Sequence, residues 1–105
     1  MNEFGISENI MAEMLRVFKS NKKIEQAVLF GSRAKNNFSA QSDVDVALIG
    51  NLTCLETEEI VCLLDDLPSA LTFDVLAYGA IKNPLLCAHI NRVGKVVYER
   101  GKEIN

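Results

Sequence analysis

Apolar residues recur along the chain at two spacings, and each change of spacing marks the boundary of an element. Over residues 8–20, Ile10, Met11, Met14, Val17 and Phe18 return every three or four positions, the spacing of one buried helix face. Ser7 can cap that helix, and Glu8 suits the positive end of its dipole. Asn21-Lys22-Lys23 ends it, and the apolar run Ile24 to Phe30 predicts a first strand. The run breaks at Gly31-Ser32, where a short helix is expected, and a polar connection follows over 36–42. Residues 43–49 alternate as a second strand, with Asp43 and Asp45 on one side and Val44, Val46 and Leu48 on the other.

Thr53 with Glu56 three positions on fits a capping box for a helix running to about Leu67. Leu55, Ile60, Val61, Leu63 and Leu64 are its expected core positions, and Pro68-Ser69 breaks it. Residues 71–77 predict a third strand, with Leu71, Phe73 and Val75 on one face and Thr72, Asp74 and Leu76 on the other. Asn83-Pro84 opens a last helix that Gly94 terminates, Lys95 to Tyr98 is a final strand, and residues 99–105 read as a charged tail. Helices and strands therefore alternate, and the expected fold is a two-layer α+β domain over residues 1–105.

Composition narrows the function. With 49% apolar residues the chain should fold as a globule, and a net charge of −3 argues against a broad nucleic-acid-binding surface. No apolar run approaches a membrane span and the first residues lack a basic-then-apolar leader, so a cytosolic location is expected. Cys54, Cys62 and Cys87 are odd in number, form no CxxC and have apolar neighbours, which predicts reduced core thiols.

The candidate chemistry lies in residues 28–49 and at Asp74. Asp43 and Asp45 on one face repel unless a cation lies between them, although paired aspartates at a strand start are often a solvated edge. Asp74 sits in an otherwise apolar strand, where a carboxylate is costly to bury alone. If the second and third strands are neighbours, it joins the pair in a site for one or two Mg²⁺ ions; the alternative is a salt bridge to Lys or Arg. Gly31-Ser32 matches neither GxxxxGK[ST] nor GxGxxG, yet a small-residue turn beside the carboxylates suits a triphosphate. Arg33 and Lys35 are candidate cationic donors there, or a solvated helix face. His89, Tyr78 and Tyr98 read as packing or surface residues.

Phe30-Gly31-Ser32-Arg33-Ala34, with Asp43-Val44-Asp45 beginning ten residues after Ser32, resembles the GSx₁₀DxD signature of nucleotidyltransferases in the DNA polymerase β superfamily. The small size points to the minimal nucleotidyltransferases (MNT) that are paired with helical HEPN proteins. The likeness extends through Phe73-Asp74-Val75 and from Lys82-Asn83-Pro84 to His89-Ile90-Asn91-Arg92-Val93-Gly94 and Val97-Tyr98. It implies a nucleotidyltransferase fold with a mixed sheet of about four strands. It also implies Mg²⁺ on Asp43 and Asp45, Asp74 as third ligand and activator of the attacking hydroxyl, and nucleotide phosphates on Gly31 and Ser32. Many relatives carry glycine where Asn36 stands, and asparagine tolerates the same left-handed backbone.

The resemblance implies transfer of AMP from ATP to a hydroxyl, with a tyrosine on a HEPN toxin as acceptor and this chain as antitoxin. Because larger relatives add an acceptor-binding domain, a separate partner is expected to supply it. A catalytically silent antitoxin that masks its partner by contact is the second reading, and a small-molecule (antibiotic) nucleotidyltransferase the third. Assembly with further copies of the same chain is left open.

Overall fold

The computed structural model describes residues 2–102. Along the chain run α1 (Glu8–Lys19), β1 (Ile24–Phe30), α2 (Gly31–Ala34), β2 (Val44–Gly50), α3 (Cys54–Asp65), β3 (Phe73–Ala77), a single 3₁₀ turn (Tyr78–Ala80), α4 (Pro84–Val93) and β4 (Lys95–Glu99). The expected order is therefore present, with boundaries moved by one or two residues. The end of the predicted tail, residues 103–105, lies outside the described residues.

Among the described residues the four strands form one mixed sheet in the order β3–β2–β1–β4. β1 is antiparallel to β2 and to β4, whereas β2 and β3 run parallel. A parallel pair needs a crossover, and α3 supplies it. The larger core packs α1 and α3 on one sheet face, where Met14, Phe18, Leu29, Val44, Val46, Leu48, Ile60 and Leu64 are almost wholly buried. A smaller cluster beneath α4 gathers Val28, Phe30, Ala47 and Ile90 on the other face.

The helix ends are set by local chemistry. The hydroxyl of Ser7 accepts from the N–H of Ile10, and the side chain of Asn83 accepts from the N–H of Leu85 ahead of Pro84. At α3 both halves of the capping box form: Thr53 Oγ1 accepts from the Glu56 N–H at 3.1 Å, and Glu56 Oε1 accepts from the Thr53 N–H at 2.9 Å. Lys23 Nζ adds an ion pair to Glu56 at 3.1 Å, which ties α3 to the α1–β1 turn.

Two expectations need correcting on α3. Its inward stripe is Ile60 and Leu64, an i,i+4 pair; Val61 is half-buried, while Leu55 (71%) and Leu63 (43%) are exposed. Cys62 stands two positions from Ile60 and so faces outward, and Cys54 lies at the exposed first turn. With Cys87 only half-buried, none of the three thiols is a core residue; all are free. Apolar neighbours in sequence misplace Cys54 and Cys62 because α3 is apolar on more of its circumference than it buries. Among the described residues no helix is long and apolar enough to cross a membrane.

The capping box should be measurable. Thr53→Ala is expected to destabilise the fold by about 1 kcal/mol in urea denaturation. Backbone and Lys23 hydrogen bonds pull the Glu56 carboxyl down from 4.5 to about 2. A lowered carboxyl pKa adds stability above the unfolded value, and that contribution disappears as pH falls through the folded one. The stability difference between wild type and Glu56→Gln should therefore be full above pH 4.5 and lost by about pH 2.

Candidate active site

The parallel register of β2 and β3 pairs Val44 with Phe73, Asp45 with Asp74 and Val46 with Val75. Directly opposed residues on neighbouring strands point to the same face, with their Cβ atoms about 5 Å apart. Val44 and Val46 are wholly buried in the larger core, so Asp45 and Asp74 project from the opposite face of the sheet. Asp43 precedes β2 and is exposed, as is Asp74, whereas Asp45 is half-buried. Asp74 thus lies near the start of its strand rather than buried in its middle. Among the described residues no lysine, arginine or histidine pairs with any of the three, so the salt-bridge alternative for Asp74 is not found.

The charges of Asp74 and Asp43 both reach Asp45. Asp45 is held above the usual carboxylate value of 3.8, first by burial and then by the charges of Asp74 and Asp43. Like charges with no cationic side chain paired to them among the described residues favour a positive ligand. All the donors are carboxylate oxygens, which suits a hard cation such as Mg²⁺. Among the described residues no group of three acidic, histidine or cysteine side chains is placed to hold a metal ion, so the expected meeting of all three carboxylates on one ion is not seen. Mg²⁺ commonly takes only one or two carboxylates and completes its shell with water and substrate phosphates. The opposed carboxylates of Asp45 and Asp74 fit such an ion by their chemistry.

Gly31 meets this cluster from β1. Phe30 is the register partner of Asp45, so the chain turns into α2 directly beside that carboxylate. Gly31 has φ +75°, and a Cβ there would collide with Asp45 Oδ2. The sequence therefore needs glycine at this position both for the turn and for the room it leaves. α2 begins at Gly31, and the first N–H groups of a helix lack partners inside it, which places candidate anion donors at Gly31 and Ser32.

Arg33 departs from its expected place. It is 1% exposed, and its guanidinium donates to backbone carbonyls instead of standing free for a phosphate. Lys35 is exposed at the end of α2. Asn36 adopts φ 63°, the left-handed twist expected of it where relatives carry glycine. His89 is half-buried and meets Phe30 edge-on with ring centroids 6.3 Å apart. The Tyr78 hydroxyl donates to Asn91 Oδ1 at 3.0 Å, and Tyr98 packs on Phe18 in the core. The residues that sequence reasoning passed over are Phe4, Gly5, Phe38 and Ser42, which surround Arg33. Two of them lie nearly thirty positions away, and no local pattern announces such a contact.

Ionising Asp45 costs more in the folded than in the unfolded chain. A raised carboxyl pKa lowers stability as pH climbs above the unfolded value, so the cost is absent well below pH 3.8 and grows as pH rises past it. Asp45→Asn should accordingly melt higher than wild type at pH 7 without divalent cations, and the gap should close in acid; calorimetry across pH measures it.

The profile of the Polymerase beta, Nucleotidyltransferase family matches residues 12–103. A search of curated proteins finds no match. Among solved structures, a chain of a toxin–antitoxin complex with AMP-PNP superposes with a TM-score of 0.70 at 21% identity, over 92% of this chain and 77% of that one. A chain from the complex of tri-AMPylated Shewanella oneidensis HEPN toxin with MNT antitoxin gives 0.68 at 16% identity, over 90% and 73%. A chain of the toxin–antitoxin MntA–HepT gives 0.66 at 18% identity, over 89% and 73%. At these identities the likeness is one of fold. The family match spans the turn, both acidic strands and the last helix, and this chain belongs to the polymerase β nucleotidyltransferase family.

Proposed function

We propose that the protein is a Mg²⁺-dependent nucleotidyltransferase that moves AMP from ATP onto a hydroxyl of a helical HEPN-type partner, and that it acts through this reaction as an antitoxin. The observation that carries the reading is the opposition of Asp45 and Asp74 beside the Gly31 turn, with Asp43 adding its charge. The similarity in fold to chains from an AMP-PNP complex and from a complex holding an AMPylated HEPN toxin supports the choice of nucleotide and acceptor.

Asp43 and Asp45, with Asp74, would hold the ion, which when bound supplies positive charge against the triphosphate and the charge developing at phosphorus. The N–H groups of Gly31 and Ser32 face the phosphates and fix the nucleotide's tail. Asp74, exposed at the margin of the cluster, is open to an incoming hydroxyl and accepts its proton. The acceptor oxygen bonds to the α-phosphorus as the bond to the β-phosphate bridge breaks, and pyrophosphate leaves.

A second reading has its own observation. Leu55 and Leu63 stand exposed beside a groove of about 480 Å³ that α3 forms with Ser20 and Asn21, an apolar surface suited to contact with another protein. Neutralisation by contact alone would use such a surface without chemistry.

Incubation with ATP, Mg²⁺ and a HEPN-type partner, followed by intact mass, separates the two. The partner should gain mass in steps of one AMP. Asp43→Ala and Asp45→Ala should slow this at least about 100-fold, and Asp74→Asn about 10²–10⁴-fold. No adduct with wild type, or equal modification by Asp43→Ala, contradicts the catalytic reading. If both alanine variants still neutralise the partner at unchanged affinity, contact suffices.

A further inference from the structure

Of the three carboxylates, Asp45 and Asp74 are held by the strand ladder, but Asp43 precedes β2 and follows the polar connection from α2. Its position must be set by the peptide groups on either side of it. On one side, the Val44 N–H donates to the Thr72 carbonyl at 2.8 Å. On the other, the Ser42 carbonyl accepts from Arg33 twice, from Nε at 3.1 Å and from Nη2 at 2.9 Å.

Arg33 is engaged well beyond Ser42. Nη1 donates to the Phe4 carbonyl at 2.8 Å and to that of Gly5 at 3.4 Å, Nη2 also reaches the Ala40 carbonyl at 3.4 Å, and the guanidinium lies 5.1 Å from the centre of the Phe38 ring. Among the described residues no carboxylate pairs with it. Burying a charge without a counter-ion is expensive, and a side chain whose only task was to fill space would be apolar. The planar fork instead joins three segments: the start of the chain, the connection before Asp43 and, through its own backbone, the Gly31-Ser32 turn.

We infer that Arg33 is a positioning residue, which fixes the Ser42 carbonyl and thereby holds Asp43 in place opposite the phosphate-facing turn. The assignment rests on the proposed nucleotidyl transfer, with Asp43 as a metal ligand. It makes residues 4 and 5 part of the site's frame. Gly5 has φ +72°, and a Cβ there would strike the Phe38 ring and come within 3.1 Å of Arg33 Nη1. Lysine lacks the planar fork with which Arg33 donates to the Phe4 and Ser42 carbonyls from different nitrogens.

Arg33→Lys and Gly5→Ala approach the junction from opposite sides and are compared with wild type and Asp43→Asn. Mn²⁺ affinity is read from the electron paramagnetic resonance signal of the free ion, rates from partner modification, and folding from thermal melts. Both variants should bind Mn²⁺ about 10–100-fold more weakly, the range found for supports of metal ligands. They should also lose kcat while KM for ATP changes less than about threefold, and raised Mn²⁺ should restore part of the rate. A raised KM for ATP with kcat intact would make Arg33 a nucleotide contact and overturn the assignment. A lowered melting temperature with Mn²⁺ affinity and kcat unchanged would reduce Arg33 to a structural role and overturn it equally. Wild type that neither takes up Mn²⁺ nor modifies the partner overturns the transfer reading and this assignment with it, whereas active wild type and equally active variants overturn the assignment alone.

Discussion

Two acidic side chains face each other across neighbouring parallel strands, and the rest of the molecule keeps them there. Left to themselves Asp45 and Asp74 would separate, since burial and the charges of Asp74 and Asp43 already hold the Asp45 carboxyl above its ordinary value. What opposes that tendency is the alternation of the strands. Each aspartate is flanked by residues packed on the far face of the sheet: Val44 and Val46 around Asp45, Phe73 and Val75 around Asp74. Burying a side chain of the valine or phenylalanine kind contributes about 1.5–3 kcal/mol. A slip of one residue in register would turn the aspartates inward and those side chains out. The core therefore fixes the charges in place, at a cost that a bound cation would relieve.

The same logic explains why the site lies where β1 ends. The antiparallel pairing of β1 with β2 delivers Phe30 beside Asp45, so the following glycine arrives at the carboxylate with no side chain to obstruct it. A turn rich in backbone donors and a cluster of acceptors are thereby brought together by two strand pairings of opposite sense. Arg33 completes the frame by gripping the loop ahead of Asp43, which no ladder holds.

Much of this was legible in the sequence, for identifiable reasons. Period-two alternation placed Asp45 on one side and the valines on the other, whereas Asp43 falls just outside β2, and the length of α3 allowed the crossover that makes β2 and β3 neighbours. Capping chemistry located the starts of three helices at Ser7, Thr53 and Asn83. Local patterns failed where only tertiary packing decides. The outward turn of Leu55, Leu63 and Cys62 depends on how α3 is rotated on the sheet, and a helix with apolar residues on several sides does not reveal that rotation. The burial of Arg33 depends on carbonyls from Phe4 and Gly5, too distant in sequence for any motif to signal.

A crystal structure with Mg²⁺ and a non-hydrolysable ATP analogue tests the central claim most directly. The account predicts carboxylate oxygens of Asp43 and Asp45 at about 2.0–2.1 Å from the ion, with Asp74 turned toward it and the analogue's phosphates against the Gly31-Ser32 turn. An ion or nucleotide bound away from these residues, or carboxylates that remain apart with the analogue present, would contradict it.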